Sequence, residues 1–373
     1  MSVSVESIEG VIRSTTAVYA AAEQALLNRV AAAIRADTRE GIGPYDLRRW
    51  SRLNEFRATA QQVFARTNRS GAGAAAAALS DSAQRGRDIA ERDLSLRGVR
   101  ASAPIGPATI RGTLVRGPSS LMASLASVHP MMLASTEGLY RQVMQEVLTA
   151  DIRSERDRVA AAQRLLDRFA VGGITGFVDR AGKRWNVVHY VEMATRTACA
   201  QVAIDAHIDV IERSGLDLVL VSIAPNCSPL CVPFQGRLLS VSGATSGAVV
   251  RGRRVSVAAS VDEAKARGLH HPGCRHKLTV WVPGDPLSTR PPKVNPADYR
   301  ATQRLRLLER RVRVAKRRGD VALTPAAAQV ASAQTRALQK QIRELVATTS
   351  APRIRRREQL DLGYKPPAKN LNQ

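Results

Sequence analysis

The stretch HYVEMATRTACAQVAIDAHIDVIERSGLDLVLVSIAP, residues 189–225, changes its periodicity once. Up to Arg213 the apolar residues recur at helical spacing, and Gly215 stands where a left-handed residue closes a helix. From Leu216 onward, alternation and β-branched side chains read as a buried strand. A strong helix feeding directly into a strand predicts an α+β fold around this point.

Shorter strand signals follow. GRLLSVSG and RRVSVAAS read as strands, DEAKARGL as a brief helical turn, and HKLTVWVPG as a closing strand. Upstream, FVDRAGKRWNV alternates and breaks at Ala-Gly, which predicts a short hairpin. The α+β domain is expected over residues 171–285. Around it the chain reads as helix. Residues 1–100 form a helical arm, with Leu47, Trp50, Leu53 and Phe56 at helical spacing, Asp46 as an N-cap and a glycine break near Ser70-Gly71. A Pro/Gly-rich linker covers 101–119, and further helix, divided at His129-Pro130, covers 120–170. Residues 286–373 form a basic helical tail. There Leu305, Leu308 and Val312 share one face, Thr324-Pro325 starts a second helix, and the end is basic and frayed.

The chain has 373 residues, 44% apolar but only 4% aromatic, and a net charge of +24. Of its 56 basic residues 48 are arginine, a bias GC-rich coding can produce; coding bias leaves the excess over acidic groups unexplained. Residues 286–373 hold 20 Lys and Arg against 6 Asp and Glu, more than half of the net charge. That concentration points to a polyanion, nucleic acid before lipid. The candidate DNA-contacting residues are Arg304, Arg306, Arg310, Arg311, Arg313, Lys316, Arg317, Arg318, Arg353, Arg355, Arg356 and Arg357. With no base-reading motif, contact with the phosphate backbone is expected. No apolar run approaches the ~20 residues of a membrane span, and the N-terminus lacks the pattern of a signal peptide. Four cysteines in so long a chain fit a reducing compartment.

Cys227, Cys231, His271, Cys274 and His276 are the candidate metal ligands, since thiolate and imidazole are what Zn²⁺ prefers in structural sites. Alternatives stay open: a metal-free corner with backbone-bonded histidines and cysteines packed as small apolar groups, or a redox pair. Cys274 or Cys231 with His271 or His276 as base would make a nucleophile, but no third orienting residue has a recognisable spacing. No Walker loop, His-Glu-x-x-His or paired-carboxylate pattern occurs. Cys199, Trp185 and Trp281 are expected in the core and His270 at the surface. Glu192 and Arg196 are placed for an i,i+4 surface ion pair.

TGFVDRAGKRWNVVHYVEMATRT, the Cys227–Cys231 turn with Pro233 and Gly236, HPGCRH, VPG, QRLRLLERRVRVAKRR and RRREQL together resemble the phage minor capsid proteins of the MuF type, especially minor capsid protein 2. The likeness covers roughly residues 172–360. Gly273 stands where the family has Asn, and both tolerate positive φ. The resemblance implies a structural protein of the virion, made in the bacterial cytoplasm and placed inside the head at the portal vertex. Its implied partners are the portal protein, other head proteins and packaged double-stranded DNA. Self-association is compatible with the helical arms, and no membrane partner is implied. A co-packaged hydrolase or nuclease using the Cys/His cluster is the competing expectation, and a free nucleoid-type DNA binder a third.

Overall fold

The computed structural model describes residues 9–40, 47–99, 121–126, 128, 155–172, 177–178, 184–224, 226–250, 252–271, 274–287 and 295–360. The expected cap at Asp46, the linker, the His129-Pro130 division and the turn at Gly273 lie outside these residues. So do the side chains of Leu47, Trp50, Leu53, Phe56 and Trp185.

The architecture is α+β, with long helices stacked on a small antiparallel sheet. Helices α1 (Glu9–Glu40) and α2 (Leu47–Ser95) pack on α4 (Val187–Arg213), and α3 (Glu155–Gly172) packs on α1. The contact stripe of α1 is Ile12, Thr16, Tyr19, Glu23, Leu26 and Leu27, all buried at helical spacing. The facing stripe of α2 is built from small residues: Gly71, Ala75, Ala78, Ser82, Gly86 and Ala90. Ser70-Gly71 does not break α2, which runs on for 49 residues, about 70 Å at 1.5 Å per residue. Gly71 serves close approach instead: a Cβ there would fall 2.7 Å from the Tyr19 hydroxyl. At Gly86 the fit is tighter, with a Cβ 2.2 Å from the carbonyl oxygen of Ala203 in α4.

The β1–β2 hairpin (Phe177–Val178 with Arg184–Trp185) is present, pairing Phe177 with Trp185. Asn186 caps α4, its side-chain oxygen accepting from the His189 amide, and Gly215 follows the helix at φ 74°. The central sheet runs β4–β3–β7 (Leu238–Ser240, Leu218–Val221, Leu278–Val280), antiparallel throughout, with Val219 opposite both Leu239 and Val280. A separate ribbon pairs β5 (Gly247–Val250) with β6 (Arg253–Ser256). Here β5 adds a strand that the segment GAVV, with one glycine and no clear alternation, did not announce. Helix α5 (Val261–Ala266) opens with a capping box between Ser260 and Glu263.

Helices α6 (Pro296–Asp320) and α7 (Pro325–Thr348) form a hairpin. Leu305, Leu308, Val312 and Ala315 meet Leu338 and Ile342 in a satellite core, each large side chain contributing about 2 kcal/mol by burial. Thr324 caps α7 by accepting from the Ala327 amide, with Pro325 at the first turn. Of the end expected to fray, residues 361–373 lie outside the described residues, and 351–360 fold back on the hairpin. Arg355–Glu358 forms a 3₁₀ turn that packs back on α6, and Arg353 holds Glu358 in an ion pair of 2.7 Å.

Candidate functional site

Register brings the Cys/His groups together. Val221 of β3 pairs with Leu278 of β7, so the turn leaving β3 lies beside the one entering β7. The first carries Cys227 and Cys231, the second His271, Cys274 and His276. All four of Cys227, Cys231, Cys274 and His276 are buried, whereas His271 is half-exposed. Cys231 Sγ lies 3.6 Å from Cys274 Sγ. Cys274 Sγ lies 3.4 Å from His276 Nδ1, and Cys227 Sγ 3.6 Å from His276 Nε2. Cys231, His271 and Cys274 also form a set whose ligand atoms all fall within 4.8 Å of one another. No disulfide links the cysteines.

Thiol–thiol contact splits the titration of these groups. Hydrogen bonding with Cys227 pushes Cys231 up to about 12, and contact with Cys231 followed by burial pushes Cys274 up. Cys227, accepting from Cys231, is lowered. Two of the three thiols therefore resist becoming the thiolate a nucleophile needs. His270 is half-buried beside Cys274 with φ 59°, not simply exposed. Cys199 and Trp281 are buried as expected.

The basic candidates divide by direction. Arg304, Arg310, Arg311 and Arg355 are exposed and make no ion pair or hydrogen bond among the described residues. The rest are engaged. Arg306 bonds both oxygens of Glu309 at 3.1 and 2.8 Å. Buried Arg313 donates to the Arg357 carbonyl and to His189 Nε2. Lys316 donates to Gln359 at 2.7 Å and Arg318 to Gln334 at 3.2 Å. Arg317 lies 3.7 Å from Glu23 of α1; Arg356 and Arg357 lie 3.2 and 3.8 Å from Glu9. The Glu192–Arg196 pair forms at 3.1 Å, but under α1 and shared with Glu9, not on the open surface.

Four exposed basic residues went unnamed by charge density alone: Arg300 on α6, and Arg336, Lys340 and Arg343 on α7. Their signal was spacing. Positions 300, 304 and 311 share one face of α6, and 336, 340 and 343 one face of α7.

The family model for phage minor capsid protein 2 matches residues 4–347. The chain belongs to this family. The match takes in the helical arm as well as the motifs of the α+β domain of this minor capsid protein. Comparison with curated proteins and with solved structures returned no match. Membership makes this chain a phage structural protein, with head proteins as its partners. Among the described residues, no helix is long and apolar enough to cross a membrane.

Proposed function

We propose that this minor capsid protein stands inside the head at the portal vertex, assists head assembly, and touches packaged double-stranded DNA without reading its sequence. A low-copy component of a symmetric shell has few distinct places to occupy, and the portal vertex is the one that breaks the symmetry. The domain boundaries at residues 100, 119, 170 and 285 belong to the same reading, with the arm and tail flanking an α+β centre.

The observation that carries the DNA contact is the sorting of arginine. Inward-facing residues such as Arg306, Arg317 and Arg353 are matched by Glu309, Glu23 and Glu358. Outward-facing Arg304, Arg311 and Arg355 have no acidic partner among the described residues, whereas Arg310 feels the carboxylates of Glu309 and Glu192. A solvated helix face that served only solubility would mix signs, as Lys340 and Glu344 do on α7. Groups held this way suit phosphates, and each contact adds about 0.9 to the salt slope of binding.

The test is fluorescence anisotropy of the full chain with a mixed-sequence duplex across a salt series. Affinity should fall steeply with salt and be equal for unrelated sequences. Replacing Arg304 and Arg311 by Ala should flatten the slope by about 2. Absence of binding at low salt, or a slope untouched by the replacement, overturns the DNA contact.

A further inference from the structure

We infer that Cys231, His271 and Cys274 hold a zinc ion through two thiolates and one imidazole, with water in the fourth position, and so pin the turn after β3 to the segment before β7. The first support is distance. Zn–S of about 2.3 Å and Zn–N of about 2.0 Å in a tetrahedron put neighbouring ligand atoms about 3.8 Å apart for two sulfurs and about 3.5 Å for sulfur and nitrogen. Cys231 Sγ and Cys274 Sγ, 43 positions apart in sequence, stand at 3.6 Å, far longer than the ~2.05 Å of a disulfide. The ligand atoms of all three residues fall within 4.8 Å of one another, so the widest separation exceeds a tetrahedral edge by no more than about 1.3 Å. Two thiolates and Zn²⁺ cancel in charge, which suits cysteines that are 0% and 7% exposed. His271 is half-exposed, so the position left for water lies on its side.

The second support is the backbone that brings His271 in. His271 and Cys274 have two residues between them, a spacing common among zinc ligands. The Cys274 amide donates to the His271 carbonyl at 2.8 Å, a bond that turns the chain between the two ligands and uses the carbonyl, not the ring. Just before it, His270 takes φ 59°, a left-handed conformation that is costly for a non-glycine residue and clusters at functional sites. Gly268, at φ 102°, lets this segment close on the turn that carries Cys231: a Cβ there would fall 3.2 Å from Leu230 Cβ, and Cys231 Sγ lies 3.9 Å from the Gly268 carbonyl oxygen.

The third support is what the neighbouring groups do. Gln235 Oε1 accepts from the Ala224 amide at 2.7 Å, which fixes which end of that side chain is oxygen. The same oxygen lies 3.0 Å from His276 Nε2, so Nε2 carries the hydrogen and donates. The lone pair is then on Nδ1, which accepts from the Cys274 thiol at 3.4 Å. With both nitrogens engaged, His276 is a positioning residue that aims Cys274, as outer partners of metal ligands do. Cys227 approaches the opposite edge of that ring, 3.6 Å from Nε2, and stays outside the set of three. On binding, Cys231 releases its proton to solvent and Cys274 passes its own to the Nδ1 it faces, which then donates to the thiolate.

The experiment is metal analysis of the full chain, purified under reducing conditions from zinc-supplemented cells, followed by exchange into cobalt. Close to one zinc per chain is expected, with thiolate-to-cobalt charge-transfer absorption of the strength two sulfurs produce. His271→Gln and Cys274→Ser should each lower zinc affinity about tenfold or more, while Cys227→Ser keeps it. Because cysteine variants can fail to fold, the wild-type ratio and the half-exposed His271→Gln, checked for folding by circular dichroism, decide without them. Zinc-free chain that stays zinc-free on incubation with the metal, or a Cys231–Cys274 disulfide in its place, overturns the site. Full loading of folded His271→Gln, or charge-transfer absorption of three sulfurs, overturns the ligand set.

Discussion

Glu9 of α1 and Arg196 of α4 lie 2.5 Å apart, and Arg356 and Arg357 close on the same carboxylate from the end of the chain. One acidic group thus joins the first helix, the central helix and the 3₁₀ turn Arg355–Glu358. Burial works to raise its pKa, but the Arg196 bond and the surrounding arginines win and hold it at about 2, below the ordinary 4.5. A carboxylate depressed on folding contributes its full stability above the unfolded value and loses it as pH falls toward the folded one. Glu9→Gln should therefore cost about 2 kcal/mol near neutrality, allowing for partial exposure, and remove the part of the acid transition that falls between those two values. Denaturant melts across that range check both.

Gly86 and Gly73 sit in the same helix and should respond oppositely to alanine. At Gly86 the new Cβ meets backbone oxygen at 2.2 Å, so α2 must move off α4, at about 2 kcal/mol or more. At Gly73 nothing lies within 4 Å, so helix propensity alone should stabilise by about 0.5–1 kcal/mol. Thermal melts of the two single variants compare them directly.

Arg311 and Arg313 are two residues apart and face opposite ways. Arg311→Ala should leave stability within about 0.5 kcal/mol and reduce the DNA salt slope by about 1. Arg313→Ala strips donors from the Arg357 carbonyl and His189, and should cost about 2–4 kcal/mol with the slope unchanged. Equal effects from both on DNA binding would contradict the sorting of the arginines.

His189 supplies a second pH dependence. Burial first, then the charges of Arg313, Arg317 and Arg310, hold its pKa well below 6.5. The unfolded chain gains a proton below 6.5 that the folded chain refuses, so stability should fall as pH drops from 7 toward 5. His189→Gln keeps an acceptor for Arg313 and should flatten that limb, as read by urea midpoints.

Much of the fold was legible because local chemistry and tertiary structure agree. The cap-Pro start at Thr324, the closing Gly215 and the Leu305–Val312 face all follow from spacing and turn chemistry. What escaped depends on distant partners. Gly71 looks like a breaker until Tyr19 is beside it, and a two-residue change of direction separates an exposed Arg311 from a buried Arg313. The Cys/His residues could be named from the sequence. Their grouping could not, since it rests on β3 lying next to β7 and on Gln235, four residues past Cys231, orienting His276.

The most direct test of the central claim is quantitative mass spectrometry of gradient-purified procapsids and mature particles, counting copies of this chain per portal subunit. A few to a few tens of copies per head is the expected result. Absence from both particle types would contradict a place inside the head, and the outward arginines would then belong to a protein that meets DNA elsewhere.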